Sequence, residues 1–309
     1  MKVTTFALTL VTAVLLTAPV RSQNKKETEW TGDGSDNAWT TRANWSRGST
    51  HAGILAKIYK EGATVVLEGG NVRCRGIELG EGATLMIKGG SLQASYAGII
   101  ILGGTLNVAG GEVITGVPGK YPRRIMLRTP GSEFHFGSPT AENAPTARIL
   151  EQLAAGAGPK HGGALHFFGY GSIAVGQDMT AGRWGEADMT VEGGNLTIHV
   201  AGNLFCGYGS KWCTITYVID ESGASTITVD KDILLGHGKQ AYNRAKFQVR
   251  FAEGFVPDPG TEYRILTSTG GTFANYPAFG NVANGDILDV DGVKLKAVYT
   301  DSSFTLVVQ

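Results

Sequence analysis

Three aromatic residues recur at matching places in the second half of the chain: Trp184, Trp212 and Tyr242. Each follows a hydrophobic triplet closed by glycine: Ile173-Ala174-Val175-Gly176, Leu204-Phe205-Cys206-Gly207 and Ile233-Leu234-Leu235-Gly236. On a chain that winds in regular turns, the three rings stack as a row along one side. Exposed, such a row offers flat apolar faces to sugar rings. Buried, the same rings only supply apolar area to a core. Gln177, Tyr208 and His237 align in the same way, each just after the glycine, and read either as a mixed polar row or as a solvent-facing turn.

Other groups carry less pattern. Asp33, Asp36 and Asn37 with their glycines form an oxygen-rich turn, a candidate Ca²⁺ site at Asp33 and Asp36. The order is not that of an EF-hand loop, and a solvated Asx-turn cluster is the competing reading. Asp178, Glu186 and Asp188 are acids close in sequence; paired carboxylates at a suitable separation cleave glycosides, but sequence fixes no separation. Lys211 and Arg183 are the nearby bases that a lyase would need. His161, His166 and His199 are candidate metal ligands without ligand spacing, and His199 falls in an alternating run that points it to solvent beside Thr197. Cys206 and Cys213 flank a turn-like Gly-Tyr-Gly-Ser and are a candidate disulfide that leaves Cys74 alone; three inert buried thiols are the alternative. No CxxC zinc pattern, nucleophile elbow or phosphate loop is present, and the Gly-x-Gly pairs are not followed by helices. No catalytic residue is assigned.

The elements that must position these groups are strands. Glycine accounts for 45 of 309 residues, about double the average usage of roughly 7%. The glycines sit between short runs of Val, Ile, Leu and Thr, where they punctuate strands. Glu61–Gly70 recurs twenty residues later as Glu81–Gly90, with a weaker copy at Gly103–Gly111. A second repeat, with a period near thirty, spans 173–250. Each unit alternates apolar and polar residues and cannot bury its apolar face alone, so neighbours must stack. A hairpin sandwich, with Thr84–Lys88 and Ser91–Ala94 folding back at Gly89-Gly90, is the rival arrangement.

The expected fold is all-β: a right-handed parallel β-helix or β-solenoid over 51–250, with a short helical insertion and an antiparallel C-terminal cap over 251–309. The insertion is the Pro-rich stretch 118–165, where Pro145 opens a helix carrying Ile149, Leu150 and Leu153 and Gly156 closes it. In the cap, Asp291-Gly292 signals a hairpin and Phe304–Val308 a last strand. A Trp-rich segment occupies 23–50. Residues 1–22 read as a signal peptide: Lys2, an apolar run, then small residues before a cut after Ser22.

The mature protein is therefore expected to be secreted, extracellular or at the cell surface. Lys and Arg number 27, as do Asp and Glu. Removing a leader with Lys2 and Arg21 leaves a slight acidic excess, so nothing in the charge favours nucleic acid or an anionic membrane. No second apolar run is long enough to span a bilayer.

The segment Trp30-Thr31-Gly32-Asp33-Gly34, Ala38-Trp39 and Ala43-Asn44-Trp45-Ser46 resembles the N-terminal motif of secreted bacterial autotransporter-like β-repeat proteins of planctomycete type. The strand, glycine, aromatic, strand, Gly-Gly, strand unit of 173–250 is similar to their repeat, and Tyr263–Thr267 with Phe304–Val308 to their closing module. The resemblance implies a β-helical fold, surface or extracellular residence and no catalytic residues. The expected role is thus structural or adhesive, with extracellular polysaccharide or cell-surface components as partners. The alternative is a carbohydrate-binding or polysaccharide-cleaving protein on the same scaffold.

Overall fold

The computed structural model describes residues 26–156, 160–182, 185–207, 212–236, 244–274 and 276–309. The expected leader, like Trp184 and Tyr242, lies outside them.

The described chain is all-β and dominated by parallel pairing. Three ladders run side by side, and the chain visits them in a fixed order. One circuit passes from the later part of the strand Asn71–Leu79, in the first ladder, to Thr84–Ile87 in the second, to the start of Ser91–Ile101 in the third, and back to the first at Ile99. Later circuits repeat this, among them Ile125–Leu127, Glu133–Ser138, Thr146–Ile149; Leu153–Ala155, Ala164–Gly169, Gly171–Val175; Met179–Ala181, Ala187–Glu192, Leu196–Val200; and Leu204–Cys206, Cys213–Ile219, Ile227–Val229. The second ladder is an all-parallel sheet of eight strands. The first and third belong to one mixed sheet, because Asn71–Leu79 and Ser91–Ile101 each contribute to both.

Alternation decides which residues face in. In the second ladder Val65, Leu85, Leu106, Phe134, Leu165, Met189, Ile215 and Phe247 share one register row and are all buried. Inward rows of the other two ladders meet them in one continuous cluster. Each buried Leu, Ile or Phe contributes about 1.5–3 kcal/mol. Tyr217 is fully buried and satisfies its hydroxyl by donating to the Ile265 carbonyl at 3.0 Å.

Both ends are closed. At the start, Trp39 N–H donates to the Val66 carbonyl and Val66 N–H to that of Asn37, covering the edge of the second ladder. Trp30, Trp39 and Trp45 pack together behind this contact, with ring centroids 5.1 and 4.8 Å apart. Asn44 is fully buried: its amide oxygen accepts from Gly34 N–H and its amino group donates to the Asp36 carbonyl. At the far end, Ser303–Val308 pairs antiparallel with Glu262–Ser268 and Val293–Tyr299. Phe304 stacks on Tyr299 at 4.4 Å and meets Phe247 edge-on at 4.9 Å. The Ile287–Val290 and Val293–Tyr299 hairpin turns on Asp291-Gly292, both at positive φ, as the dipeptide requires.

Two sequence expectations are overturned. The described residues of 118–165 hold no helical insertion: the stretch supplies strands to all three ladders, and the described chain contains only two 3-10 turns, Arg42–Asn44 and Ala141–Asn143. Ala147 points inward between Val113 and Ile173 and Ile149 between Thr115 and Val175, and Leu153 and Ala155 point inward on the first ladder. The spacing of Ile149, Leu150 and Leu153 comes from two short strands joined by a corner. The triplet alignment also shifts. Leu204–Cys206 does pair with Ile233–Leu235, but its other neighbour is Met179–Ala181, while Ile173 pairs with Ile198 on the third ladder. The rival arrangement, a hairpin at Gly89-Gly90, is not formed, since both flanking strands pair in parallel.

Gly90 marks why the corners need glycine. Its φ is +70°, and a methyl there would be driven into the Gly70 carbonyl of the preceding circuit. Gly62 has the same φ class (+71°) but open space around it. Gly62→Ala is expected to cost only the left-handed penalty, about 1–2 kcal/mol. Gly90→Ala adds a backbone collision and should cost about 3 kcal/mol or more. Urea midpoints of the two variants check this; equal losses would mean that corner contact is not limiting.

Candidate functional site

Outward positions of the second ladder form rows as regular as the buried ones. One row reads Glu133, Ala164, Asp188 and Thr214; the next reads Asn107, His135, His166, Thr190 and Thr216. Neighbouring strands lie about 4.8 Å apart, so the backbones of Glu133 and Asp188 stand roughly 9–10 Å apart with only the Ala164 methyl between them. These residues, with Lys160, His161 and Glu186, line a cleft of about 380 Å³. Burial, with Arg128 adding to it, pulls the His161 imidazole below its usual pKa. Its Nδ1 is shielded and without a hydrogen-bond partner. The cleft thus gathers carboxylates, an ammonium and a largely neutral imidazole.

Of the aromatic row, Trp212 is described, and it is 47% exposed. It immediately precedes Cys213–Ile219, so it sits at the corner where the chain enters the second ladder. Lys246, in the next strand, holds its ammonium 4.2 Å from the ring centroid. Such a contact at an exposed site is worth about 0.5–1 kcal/mol. Tyr208 and His237 lie outside the described residues with Trp184 and Tyr242, as do Arg183 and Lys211, while Gln177 is exposed.

The remaining sequence candidates have local partners. Asp33 is exposed. Asp36 accepts from the Thr41 hydroxyl and from Ala38 N–H, and these bonds, Thr41's first, hold its carboxyl below the usual range. Asp178 accepts from the Asn203 N–H and side-chain amide. His199 meets Asp230 at 2.9 Å. Cys206 and Cys213 are neighbouring free thiols, both fully buried. Their mutual hydrogen bond, then burial, raises Cys206 well above an ordinary thiol. Burial pushes Cys74 up to about 12, which leaves it unreactive at neutral pH.

Sequence reasoning missed Glu133 and His135, and also an exposed tyrosine pair, Tyr96 and Tyr121, 5.2 Å apart. The signal for the first two was present: Glu133-Phe134-His135-Phe136 and Ala164-Leu165-His166-Phe167 share an alternating frame with histidine in the same slot. Nothing local joins Tyr96 to Tyr121. No protein-family model, curated protein or solved structure matches the chain.

Asp36 gives a pH test. A carboxylate lowered by folding adds stability that is complete above its unfolded pKa of about 3.9 and is lost as pH falls through the lower folded value. The Asp36→Asn variant should therefore show a flatter acid limb in the tryptophan emission of the N-terminal cluster, measured from pH 5 downward. A limb identical to that of the parent protein would exclude Asp36 as its source.

Proposed function

We propose that this is a secreted or cell-surface protein of the autotransporter-like β-repeat kind, wound as a right-handed β-solenoid. It serves as a non-catalytic structural and adhesive element that meets extracellular polysaccharide. The observation that carries this reading is the outer face of the second ladder: a parallel sheet with in-register polar rows, edged by the half-exposed Trp212. Such a face repeats hydrogen-bonding groups at a fixed spacing. Polysaccharide, itself a repeating polymer of hydroxyls with apolar ring faces, suits both the rows and the indole. One face of Trp212 carries Lys246, so acidic polysaccharides are the preferred class, with the sugar on the indole and its carboxylate near the ammonium.

A second reading is favoured by Glu133 and Asp188. Two carboxyls about 6.5–9.5 Å apart, with room for water between, are the arrangement of inverting glycosidases. The row places their backbones near the top of that range over a floor cleared by Ala164.

Immobilised acidic and neutral polysaccharides distinguish these readings. Binding of the parent protein to an acidic polymer should fall about tenfold in Trp212→Ala, a loss of about 1.4 kcal/mol; unchanged binding would remove Trp212 from the interface. Release of reducing ends from the same polymers tests cleavage. If it occurs, both Glu133→Gln and Asp188→Asn should reduce it at least a hundredfold while binding persists. Release unaffected by either substitution would place any cleavage elsewhere.

A further inference from the structure

The geometry points to a metal site on the outer face of the second ladder: His135 and His166 together chelate one divalent transition ion, through the Nδ1 atom of each ring.

The two histidines are register partners on adjacent strands. Both are about one-third exposed, so an ion can reach them from solvent. Each has its Nε2 against a carboxylate: His135 with Glu133 at 3.0 Å, His166 with Glu192 at 3.4 Å. An ionised carboxylate only accepts, so each Nε2 carries the hydrogen. In a neutral ring this leaves the lone pair on Nδ1. A carboxylate holding the far nitrogen of a histidine is the usual support of a metal ligand, fixing tautomer and ring orientation. Here it occurs twice, on adjacent residues, on a face where the sequence alternation has no structural need for it.

The ring separation fits. A zinc ion lies about 2.0–2.1 Å from a ligating nitrogen, which puts it roughly 3.2 Å from the ring centroid. Two rings at a tetrahedral angle then have centroids about 5.2 Å apart. The centroids of His135 and His166 are 5.4 Å apart with planes at 73°. Among the described residues no three His, Cys, Asp or Glu side chains converge as a complete ligand set. The site is therefore an open one, with two protein ligands and the remaining positions left to water or an incoming donor. A further oxygen stands close by in the row. Asn107 pairs in register with His135, and its Oδ1 is shielded from solvent without any hydrogen-bond partner. Imidazole pairs suit Zn²⁺, Ni²⁺ and Cu²⁺ rather than Ca²⁺ or Mg²⁺.

Zn²⁺ titrated into the purified full-length chain, followed by calorimetry and by long-range proton–nitrogen spectra of the histidine rings, tests this. One ion is expected per chain, with the Nδ1 resonances of His135 and His166 shifting and their Nε2 remaining protonated. His135→Ala and His166→Ala should each weaken binding at least thirtyfold. Glu192→Gln should weaken it about tenfold while keeping the stoichiometry, since it removes support rather than a ligand. His199→Ala is the comparison, because His199 also pairs with a carboxylate, Asp230, but has no second histidine beside it; its binding should match the parent. All these positions face outward, and circular dichroism verifies that each variant is folded. No binding by the folded parent, full binding by either single alanine variant, or an equal loss in His199→Ala would overturn the proposal.

Discussion

Every circuit of this chain takes its backbone hydrogen bonds from the circuit before it. That lateral pairing is the constraint from which the rest follows. A parallel strand cannot satisfy its N–H and C=O groups locally, and its partner here is always twenty or more residues away. Register then propagates in phase although the circuits differ in length: Thr64 pairs with Thr84, Leu85 with Leu106 and Phe134 with Leu165, and each pairing keeps inward residues beside inward ones. A one-residue slip would turn a complete buried row to solvent. The apolar rows and the glycine corners therefore enforce each other. The corners set where strands start, and the rows penalise any start that is out of phase.

The same constraint makes the outer surface a consequence of the inner one. Glu133 and His135 stand where they do because Phe134 and Phe136 must face in. His166 stands beside His135 because Leu165 and Phe167 obey the same rule one circuit later. The cleft between Glu133 and Asp188 is equally indirect. It exists because the residue between them in the row is Ala164, whose methyl leaves the space open.

The sequence made strands and circuits legible where corners are plain. Glu61–Gly70 and Glu81–Gly90 are equal in length, so their alignment is the physical register. It misled where circuits vary in length. Ile173–Val175 and Leu204–Cys206 are both followed by glycine, yet lie on different ladders, because a short strand before a corner looks the same on either. In 146–155, residues with good helix propensity such as Ala, Arg, Leu, Glu and Gln imitate a helical period; burial of Ala147 and Ile149 between neighbouring strands outweighs it. The site was legible only in part. Glu186 and Asp188 are close in sequence, whereas Glu133 joins them through register alone. Trp212 was visible as an aromatic at a corner, but its exposure depends on the strands that surround it.

The two closures have a further consequence. The tryptophan cluster sits against the opening strand of the second ladder and the Phe304 strand pairs with the closing strands, while the circuits between them are held by their immediate neighbours. The gene can therefore lengthen or shorten the protein by duplicating or deleting whole circuits, without redesigning either terminus. Each duplication would extend the molecule by about 4.8 Å, one strand spacing, and add one more position to every outward row. Reach and the number of surface groups would then grow together, so lineages could tune both by a single kind of recombination event.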